Sequence, residues 1–461
     1  MKKYFIKTFG CAMNTSDSER IASFLEKQGF VLADKTANAD LVIFNTCGVK
    51  QTAENRAYSM IHVLKKNYKD KKIVLTGCLA NRKDVRQRLK NKIDLFTEIK
   101  DFPENVSSML YKVSCINSKI LNTKYPIQDT CLNKKYINYL SIKPKHSSQF
   151  QALVPIMTGC NNFCSYCVVP YARGREVSRP AEETISEIKS LIKNGYKQIT
   201  LLGQNVNSYA SRVHKVYKVR KVHKEKIEEV SFSQLLKKVN AIPGKFWISF
   251  VSSHPKDFSD ELIETIAKCH KVCEWVHLPI QAGNDKILEK MNRKYSQKYY
   301  LTLIKKIRIA FKKYKPNSLC SVSSDIIVGF PGETKKQFLD SAEVMQKAKF
   351  DMVFFGQFSP RPGTAAFKMK DNVSKKEKVG REKFLNEILK TTTLANNKKY
   401  IGKVVEVLIE KEKNGLYFGK TRTMKNVKLV SNKKKLLGKI VKVKISKANT
   451  WNLEVHTTKN K

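Results

Sequence analysis

The sequence predicts an α/β protein of three parts: a doubly wound parallel sheet, a central partial barrel of β/α units, and a small all-β barrel near the C-terminal end. Three observations support this prediction. Strand-like and helix-like segments alternate through the first third of the chain, the alternation resumes near residue 150, and short strand-like segments alone fill the last part. Alternating segments indicate parallel sheets, whereas closely spaced short strands are typical of small barrels.

In the first part, β-prone runs precede helical patterns. The three predicted strands are residues 3–8, 40–45 and 72–76, and the first predicted helix is residues 16–28. Parallel strands joined by helices form a doubly wound sheet, and their carboxyl ends lie along one edge. We place this domain at residues 2–117. A linker is predicted at residues 118–145, where scattered Ser, Asn, Lys and Pro replace the alternating pattern.

The central part contains six strand candidates, most of them separated by helical patterns. They are residues 152–157, 198–202, 247–251, 275–279, 324–328 and 352–358. Six β/α units suit a partial barrel of parallel strands, whose active site lies at the carboxyl ends of the strands. We place this domain at residues 146–393. Segment 211–230 departs from the pattern because it is rich in Lys and Arg, and we interpret it as a basic insertion after the second strand.

Short β-prone pieces follow a long helical pattern over residues 375–397. They are residues 403–409, 416–420, 427–430, 439–445 and 453–456. Five short strands of this kind predict a small barrel, which we place at residues 396–459. Lys and Arg outnumber Asp and Glu in this part of the chain. We therefore expect this domain to contact the phosphates of RNA.

The whole chain is strongly basic, because 88 Lys and Arg against 40 Asp and Glu give a formal net charge of +48. A field of this sign attracts polyanions, and nucleic acid is the predicted partner. Lysine-rich bias on solvated faces is the alternative explanation. The longest apolar runs are only long enough for strands, and no signal-peptide pattern is present. We therefore expect a cytoplasmic protein without a membrane partner, and we expect a monomer.

Three cysteines occupy the same place in successive β/α units of the first domain, directly after its predicted strands. They are Cys11, Cys47 and Cys78. Because the carboxyl ends of parallel strands meet at one edge, the thiols are expected to converge on an iron-sulfur or metal site. The glycines that would let a bulky group approach the backbone there are Gly10, Gly48 and Gly77. Three separate buried thiols are the alternative.

A second group of three cysteines lies within eight residues after the first barrel strand, and its members are Cys160, Cys164 and Cys167. Structural zinc requires four protein ligands, and no histidine is close in sequence. An iron-sulfur cluster can leave one iron without a protein ligand, where a small molecule can bind. We therefore predict such a cluster, with a zinc knuckle as the alternative. An odd total of 11 cysteines also argues against a disulfide framework.

This Cys-x3-Cys-x2-Cys loop resembles that of the radical S-adenosylmethionine superfamily, and nearly the whole chain resembles its methylthiotransferase family, with a last part similar to a TRAM domain. The motifs that support the resemblance are residues 8–14 (TFGCAMN), 45–48 (NTCG), 167–180, 202–209 (LGQNVNSY), 253–256 (SHPK), 277–283 (HLPIQAG), 325–334 (DIIVGFPGET) and 359–364 (SPRPGT). Ala12, where relatives usually have Gln, and the basic insertion depart from the family pattern.

The resemblance implies a transferase with two 4Fe-4S clusters. Cys160, Cys164 and Cys167 would ligate the radical-generating cluster, and Cys11, Cys47 and Cys78 the auxiliary cluster. One S-adenosylmethionine would donate a methyl group to sulfur at the auxiliary cluster. A second would give the 5'-deoxyadenosyl radical that takes hydrogen from C2 of the adenine, where the methylthio group is installed. The motifs are most similar to those of members acting on N6-dimethylallyladenosine at tRNA position 37, in the anticodon stem-loop. The sequence does not identify the electron donor or the sulfur donor.

Further residues are predicted to contact the cofactor or the substrate. The cofactor candidates are Gln204, Asn205, Asp325, Gly329 and Glu333, and an N-capped β/α turn is the alternative for the last three. The candidates for tRNA phosphates or the cofactor carboxylate are Arg173, Arg175 and Arg179, and solvated charges are the alternative for these. The cysteines expected to serve ordinary packing are Cys115, Cys131, Cys269, Cys273 and Cys320.

Three other functions remain open from the sequence. The first two are the family members that act on threonylcarbamoyl-adenosine in tRNA and on an aspartate of a ribosomal protein. The third is a non-catalytic RNA-binding protein in which Cys160, Cys164 and Cys167 only brace a loop. A ribosomal-protein substrate would poorly explain so basic a chain.

Overall fold

The computed structural model describes residues 2–117, 139–219, 222–431 and 435–456, with the backbone alone described for residues 111–117, 212–228 and 456. Most of the predicted linker, residues 118–138, therefore lies outside the described residues, as does Cys131. The chain divides into two compact units. The first is Met1–Ser147, Gly159–Asn161 and Cys167–Glu176; the second is Ser148–Thr158, Asn162–Tyr166 and Val177–Lys461.

The first unit contains a five-stranded parallel sheet. Its strands are β1 (Lys3–Thr8), β2 (Val31–Leu32), β3 (Leu41–Thr46), β4 (Lys72–Gly77) and β5 (Leu95–Phe96). Its helices are α1 (Ala12–Lys27), α2 (Gln51–Asn67), α3 (Lys83–Leu89), α4 (Phe102–Asn117) and α5 (Val169–Arg173). The strand order is β2-β1-β3-β4-β5. In the register of the central pairs, Tyr4 lies opposite Leu41, and Leu41 lies opposite Lys72.

Alternating side chains of this sheet build a core on each of its faces. Val42 and Phe44 pack with apolar residues of α2 and α3, whereas Leu41 and Ile43 pack with apolar residues of α1 and α4. This alternation follows from the two-residue period of a strand. Because β3 is buried on both faces, its sequence LVIFNT is nearly continuously apolar. The prediction of a doubly wound parallel sheet is confirmed.

The second unit begins with the barrel. Its strands and the neighbouring short strands are β6 (Gln151–Pro155), β7 (Met157–Thr158), β8 (Val177–Ser178), β9 (Gln198–Leu202), β10 (Ala210–Val219), β11 (Val222–Ser231), β12 (Trp247–Phe250), β13 (Trp275–His277), β14 (Ser321–Val328) and β15 (Met352–Gln357). Its helices are α6 (Ala181–Lys193), α7 (Phe232–Asn240), α8 (Asp260–Lys268), α9 (Asp285–Lys290), α10 (Gln297–Tyr314), α11 (Lys335–Ala348) and α12 (Lys375–Lys398).

All six predicted barrel strands are present and parallel to their neighbours. They form two three-stranded halves, β6-β9-β12 and β13-β14-β15. An isolated parallel bridge between Ile248 and Val272 lies between the halves. The chain therefore adds each strand beside the previous one, as in a β/α barrel that does not close.

The basic insertion forms an antiparallel hairpin of β10 and β11. Its register runs from Ala210 opposite Ser231 to Val219 opposite Val222. The hairpin begins shortly after β9 ends, at the carboxyl side of the barrel strand. Residues 220 and 221, at its turn, and the side chains of 212–228 lie outside the described residues.

The C-terminal part of the second unit is one six-stranded sheet within the part of the chain that the structure describes. Its strands are β16 (Val404–Lys413), β17 (Leu416–Thr421), β18 (Asn426–Val430), β19 (Ile440–Lys444), β20 (Lys447–Ala448) and β21 (Leu453–His456). The order is β19-β16-β17-β18-β21-β20, and only the β18–β21 pair is parallel. Four of the five predicted strands overlap β16, β17, β18 and β19, and the fifth coincides with β21.

This sheet packs on the starts of the barrel strands. Leu408 of β16 forms a buried cluster with Trp247 and Cys273, which lie at the amino ends of β12 and β13. At the amino end of β6, Gln151 Nε2 donates to Glu410 Oε1 at 2.7 Å. The C-terminal domain therefore covers the amino end of the barrel, opposite the end where barrel active sites lie.

The cysteines predicted to pack do so where their side chains are described. Cys269 belongs to the barrel core, Cys320 packs against that core, and Cys273 joins the cluster beneath the C-terminal sheet. Within the described residues, no helix is long and apolar enough to cross a membrane.

Candidate active site

The three N-terminal cysteines meet at one edge of the first sheet. Cys11 begins α1 directly after β1, Cys47 follows β3, and Cys78 follows β4. The order of the strands places the topological switch point between β1 and β3, where ligands of doubly wound sheets bind. Burial raises the pKa of the Cys47 thiol, and the neighbouring Cys78 and Cys11 raise it further. Cys47 is therefore close enough to Cys78 and to Cys11 for their charges to influence its thiol.

Three glycines surround this edge and leave no room for side chains. A Cβ on Gly10 would lie 2.7 Å from Cβ of Cys47, and one on Gly77 would lie 2.4 Å from the Thr46 carbonyl oxygen. Gly10 and Gly77 have φ of +132° and +82°, which other residues rarely adopt. A Cβ on Gly48 would lie 3.3 Å from Cβ of Cys78. The glycines therefore let the turns that carry the cysteines pack closely together, and three thiols are a donor set that fits an iron-sulfur cluster.

Two buried asparagines fix the turns that carry Cys11 and Cys47. Asn14 Nδ2 donates to Asn45 Oδ1 at 2.9 Å and to the Thr46 carbonyl oxygen at 3.2 Å. In return, Asn45 Nδ2 donates to the Asn14 carbonyl oxygen at 2.8 Å. The backbone N–H of Cys11 donates to Asn14 Oδ1. Both asparagines belong to motifs of the sequence, although no role was predicted for their side chains.

The second trio belongs to the loop after the first barrel strand. Cys160 is 8% exposed, and its backbone N–H donates to the Gly174 carbonyl oxygen at 3.1 Å. Cys160 and Cys167 lie in the first compact unit, and Cys164 lies in the second. There, Arg293 Nη1 donates to Cys164 Sγ at 3.5 Å. Arg293 therefore fixes the position of this cysteine side chain.

No three His, Cys, Asp or Glu side chains of the described residues lie close enough together to hold a single metal ion. Zinc would require its ligands about 2.0–2.3 Å from one point. In an iron-sulfur cluster, by contrast, different cysteines bind different irons, so their sulfurs can stay farther apart. The absence of a single-ion site among the described residues is therefore compatible with iron-sulfur clusters.

Buried polar atoms without a hydrogen-bond partner in the described structure gather after β9 and β12. These atoms are Gln204 Oε1, Asn205 Oδ1, Asn207 Nδ2, Ser253 Oγ and His254 Nε2. Buried polar atoms are nearly always paired, and an unpaired one costs about 1–3 kcal/mol. Because β9 and β12 are neighbours, five such atoms at their carboxyl ends indicate a polar ligand there. Gln204 and Asn205 were predicted as cofactor contacts, whereas Asn207, Ser253 and His254 were not.

His254 is held neutral at this end of the barrel. Burial, together with the charges of Arg293 and Lys256, lowers its pKa to about 2. Its Nδ1 accepts a hydrogen bond from the backbone N–H of Lys256 at 3.2 Å, so the proton of the neutral ring is on Nε2. His254 therefore offers a donor, and not a charge, to a ligand.

Contacts within the turn after β14 give a structural role to two of the cofactor candidates, Gly329 and Glu333. Glu333, 3% exposed, accepts hydrogen bonds from the Gly329 backbone N–H at 2.7 Å and from Arg381 Nη1 at 2.6 Å. Gly329 has a φ of +70°, and a Cβ there would collide with Lys378. These contacts brace the turn, and the Thr334 side chain N-caps α11, which is the N-capped β/α turn given as the alternative. Asp325 remains more accessible, with a side chain 36% exposed and Oδ2 3.5 Å from His277 Nε2.

The three arginines of the cluster loop have different surroundings. Arg173 Nη2 donates to Asp17 Oδ2 at 2.6 Å, and its side chain is only 3% exposed. Arg179 is buried and pairs with Glu183 and Glu187 on α6. Only Arg175 is exposed. The charges of Arg173 and Arg179 are therefore already matched by carboxylates of the protein.

Arg293 is a site residue that the sequence reasoning did not identify. Besides Cys164, its guanidinium contacts the Pro279 carbonyl oxygen at 3.0 Å through Nη2 and the Tyr295 hydroxyl at 2.7 Å through Nε. The Tyr295 hydroxyl in turn donates to the Ile280 carbonyl oxygen at 2.7 Å. In the sequence, the signal for this role is an arginine and a tyrosine two residues apart, after the predicted motif 277–283. Without the contacts of the folded chain, this signal is weak.

Comparison with known proteins gives matches along most of the chain. Residues 154–345 match the radical SAM superfamily, residues 3–98 match the uncharacterized protein family UPF0004, and residues 398–455 match the TRAM domain. The chain is 41% identical to the tRNA-2-methylthio-N(6)-dimethylallyladenosine synthase of Clostridium botulinum strain Hall, over 93% of this chain and 91% of that protein. It is 40% identical to the protein of the same name from Thermoanaerobacter pseudethanolicus, over 93% and 87%.

Among solved structures, the chain is similar to a radical S-adenosylmethionine methyltransferase from Kitasatospora setae with tryptophan substrate and an S-adenosylmethionine analog bound. The TM-score is 0.53 at 13% identity, over 79% of this chain and 75% of that one. At this identity the similarity concerns the fold alone.

Proposed function

Because this chain belongs to the family of tRNA-2-methylthio-N6-dimethylallyladenosine synthases, we propose that it installs a methylthio group on C2 of N6-dimethylallyladenosine in tRNA. The enzyme is a methylthiotransferase of the radical SAM superfamily. The observation that supports the proposal most is the 41% identity over 93% of the chain, which includes all three domains. The tRNA position beside the anticodon, the cytoplasmic location and the monomeric state belong to the proposal.

Two 4Fe-4S clusters and S-adenosylmethionine supply the methyl group, the radical and the sulfur of this reaction. We assign Cys160, Cys164 and Cys167 to the cluster of the barrel, and Cys11, Cys47 and Cys78 to the auxiliary cluster. Arg293 positions the sulfur of Cys164 through its hydrogen bond. The polar atoms after β9 and β12 bind the cofactor, with His254 as a neutral donor.

Replacing Gln204 with Met should weaken S-adenosylmethionine binding while leaving stability unchanged or higher. The substitution removes a buried acceptor that has no partner in the described protein, so the folded chain without cofactor loses nothing. A lost hydrogen bond to a bound ligand should raise Kd about tenfold or more. Equilibrium dialysis of the cluster-loaded chain measures Kd, and thermal unfolding measures stability. Q346M, at an exposed position of α11, is the matched control. Unchanged affinity in Q204M would remove Gln204 from the cofactor site.

Charge reversal on the C-terminal sheet should weaken tRNA binding. Lys442 and Lys444 are exposed and lie two residues apart on the edge strand β19, so they share one face. In K442E/K444E, the slope of log affinity against log salt should fall by about two, because two phosphate contacts are lost. Filter binding over a salt series measures this slope. K305E/K312E, with two exposed lysines of α10, makes the same charge change on the barrel. Equal losses in both variants would argue against tRNA binding by the C-terminal sheet.

The function itself is tested with the full chain reconstituted anaerobically with iron and sulfide. S-adenosylmethionine, a reductant and tRNA carrying either N6-dimethylallyladenosine or threonylcarbamoyl-adenosine are supplied, and nucleosides are analysed by mass spectrometry. The 2-methylthio product is expected only from the dimethylallyl substrate. Product from the threonylcarbamoyl substrate alone would assign the chain to the other tRNA activity. Two intact clusters without cofactor cleavage would favour the non-catalytic RNA-binding protein.

A further inference from the structure

Arg173 is a buried charged residue on α5, in the first compact unit. Its Nη2 donates to Asp17 Oδ2 at 2.6 Å. Asp17 is 0% exposed and also accepts a hydrogen bond from the Tyr139 hydroxyl at 2.7 Å. Two partners on different segments of the chain thus fix the Asp17 carboxylate, which in turn fixes the guanidinium. Burying a charge costs free energy even when the charge is paired, so stability alone does not explain why the guanidinium of Arg173 is buried.

The guanidinium lies beside the auxiliary cysteines. Val168, immediately before α5, and Cys78 both approach Gly48, since a Cβ on that glycine would lie 3.1 Å from Val168 Cγ2 and 3.3 Å from Cys78 Cβ. Asp17 belongs to α1, the helix that begins after Cys11. Burial lowers the pKa of Arg173, but Asp17 first and Cys78 next raise it well above its ordinary value. Cys78 is therefore close enough to interact with the arginine electrostatically.

One nitrogen of this guanidinium lacks an acceptor. Arg173 Nη1 is buried and has no hydrogen-bond partner among the residues that the structure describes. An arginine carries five N–H donors, and a buried donor left unpaired costs about 1–3 kcal/mol. Sulfur at the edge formed by the three cysteines is a group that could accept this bond, because Cys78 interacts electrostatically with the arginine.

We propose that Arg173 is a positioning residue for the auxiliary cluster. Asp17 holds the guanidinium so that Nη1 donates a hydrogen bond to sulfur of the cluster or of Cys78. Hydrogen bonds to sulfur and nearby positive charge stabilise the reduced, more negative state, so Arg173 raises the reduction potential of that cluster. The inference rests on the proposed function to the extent that Cys11, Cys47 and Cys78 hold the cluster.

The test is a redox titration of the auxiliary cluster alone. The full chain with C160A, C164A and C167A is reconstituted with iron and sulfide, and electron paramagnetic resonance follows its reduction. Added R173Q should lower the potential enough to change the reduced-to-oxidised ratio tenfold, which is about 59 mV for one electron. R173K keeps the charge and should give a smaller change. R175Q, at the exposed arginine of the same loop, should leave the potential unchanged.

A second variant separates the redox effect from misfolding. R173Q alone leaves the Asp17 carboxylate buried without its ion pair, whereas D17N/R173Q removes both charges and keeps similar volumes. If R173Q does not hold the cluster, the potential of D17N/R173Q decides the question. A potential equal to that of the parent in the charge-removing variants would overturn the proposal. A parent chain that binds no 4Fe-4S cluster would instead contradict the assignment of Cys11, Cys47 and Cys78, which is a failure of the proposed function.

Discussion

Replacement of Cys164 by Ala is expected to abolish cleavage of S-adenosylmethionine, whereas Cys47→Ala should spare cleavage and stop methylthiolation. Cys164 follows the first barrel strand and accepts a hydrogen bond from Arg293, and Cys47 lies at the edge of a different sheet. We therefore assign the two thiols to separate clusters with separate tasks. Release of 5'-deoxyadenosine measures cleavage, and mass spectrometry of tRNA nucleosides measures methylthiolation.

The activities of C164A and C47A can be interpreted only when the number of clusters in each variant is measured as well. Each variant should lose one cluster, seen as about half the iron and sulfide of the parent chain. Cys269→Ala is the matched control, because Cys269 packs in the barrel core and should not change the iron content. If C164A and C47A lost the same activities, the assignment of one task to each trio would be wrong.

Glu274→Gln is expected to destabilise the second unit by roughly 1–3 kcal/mol, because it removes the charged partner of two partly buried cations. Glu274 is 3% exposed and lies just before β13. Arg422 of the C-terminal domain donates to it through Nε at 2.9 Å and Nη2 at 2.8 Å, and Lys315 donates at 3.1 Å. Urea unfolding measures the loss. E387Q, at a side chain 68% exposed on α12, should change stability by no more than about 0.5 kcal/mol.

This effect should depend on pH in a defined direction. Burial would raise the pKa of Glu274, but the hydrogen bonds and charges of Arg422 and Lys315 lower it below its ordinary value. A lowered carboxyl pKa gives stability that is present above the ordinary pKa and is lost as the pH falls through the lowered one. The difference between the parent and E274Q should therefore be largest near neutral pH and shrink in acid. A constant difference down to strongly acidic pH would contradict this account.

The contacts between the C-terminal domain and the barrel complicate the interpretation of a chain that lacks this domain. Removing the C-terminal domain would uncover Trp247, which is 1% exposed, and would take Arg422 away from Glu274. Loss of tRNA binding in such a truncated chain would therefore mix lost phosphate contacts with a damaged barrel. Substitution of exposed lysines on β19 avoids this ambiguity.

The sequence allowed the elements and the cysteines to be predicted because both are local patterns. Strands such as β1 and β9 lie where the apolar runs placed them, and the cysteines stand directly after strands. The two-residue edge strands β2 and β5 were missed because so short a run carries no periodic signal. The burial of Arg173 was also missed, because its partner Asp17 is 156 residues away in the chain. His254 and Arg293 likewise became site residues only through contacts between distant segments.

The position of the C-terminal sheet sets the distance between this domain and the cofactor candidates. The sheet covers the amino end of the barrel, whereas the unpaired polar atoms lie at the carboxyl end. Strands of about five residues, at ~3.3 Å each, separate these ends by roughly 17 Å before the loops are added. If the C-terminal sheet binds the tRNA backbone, as we propose, the bound RNA must span this distance to bring its adenine to the carboxyl end. The height of the barrel would then select RNA stems by their length.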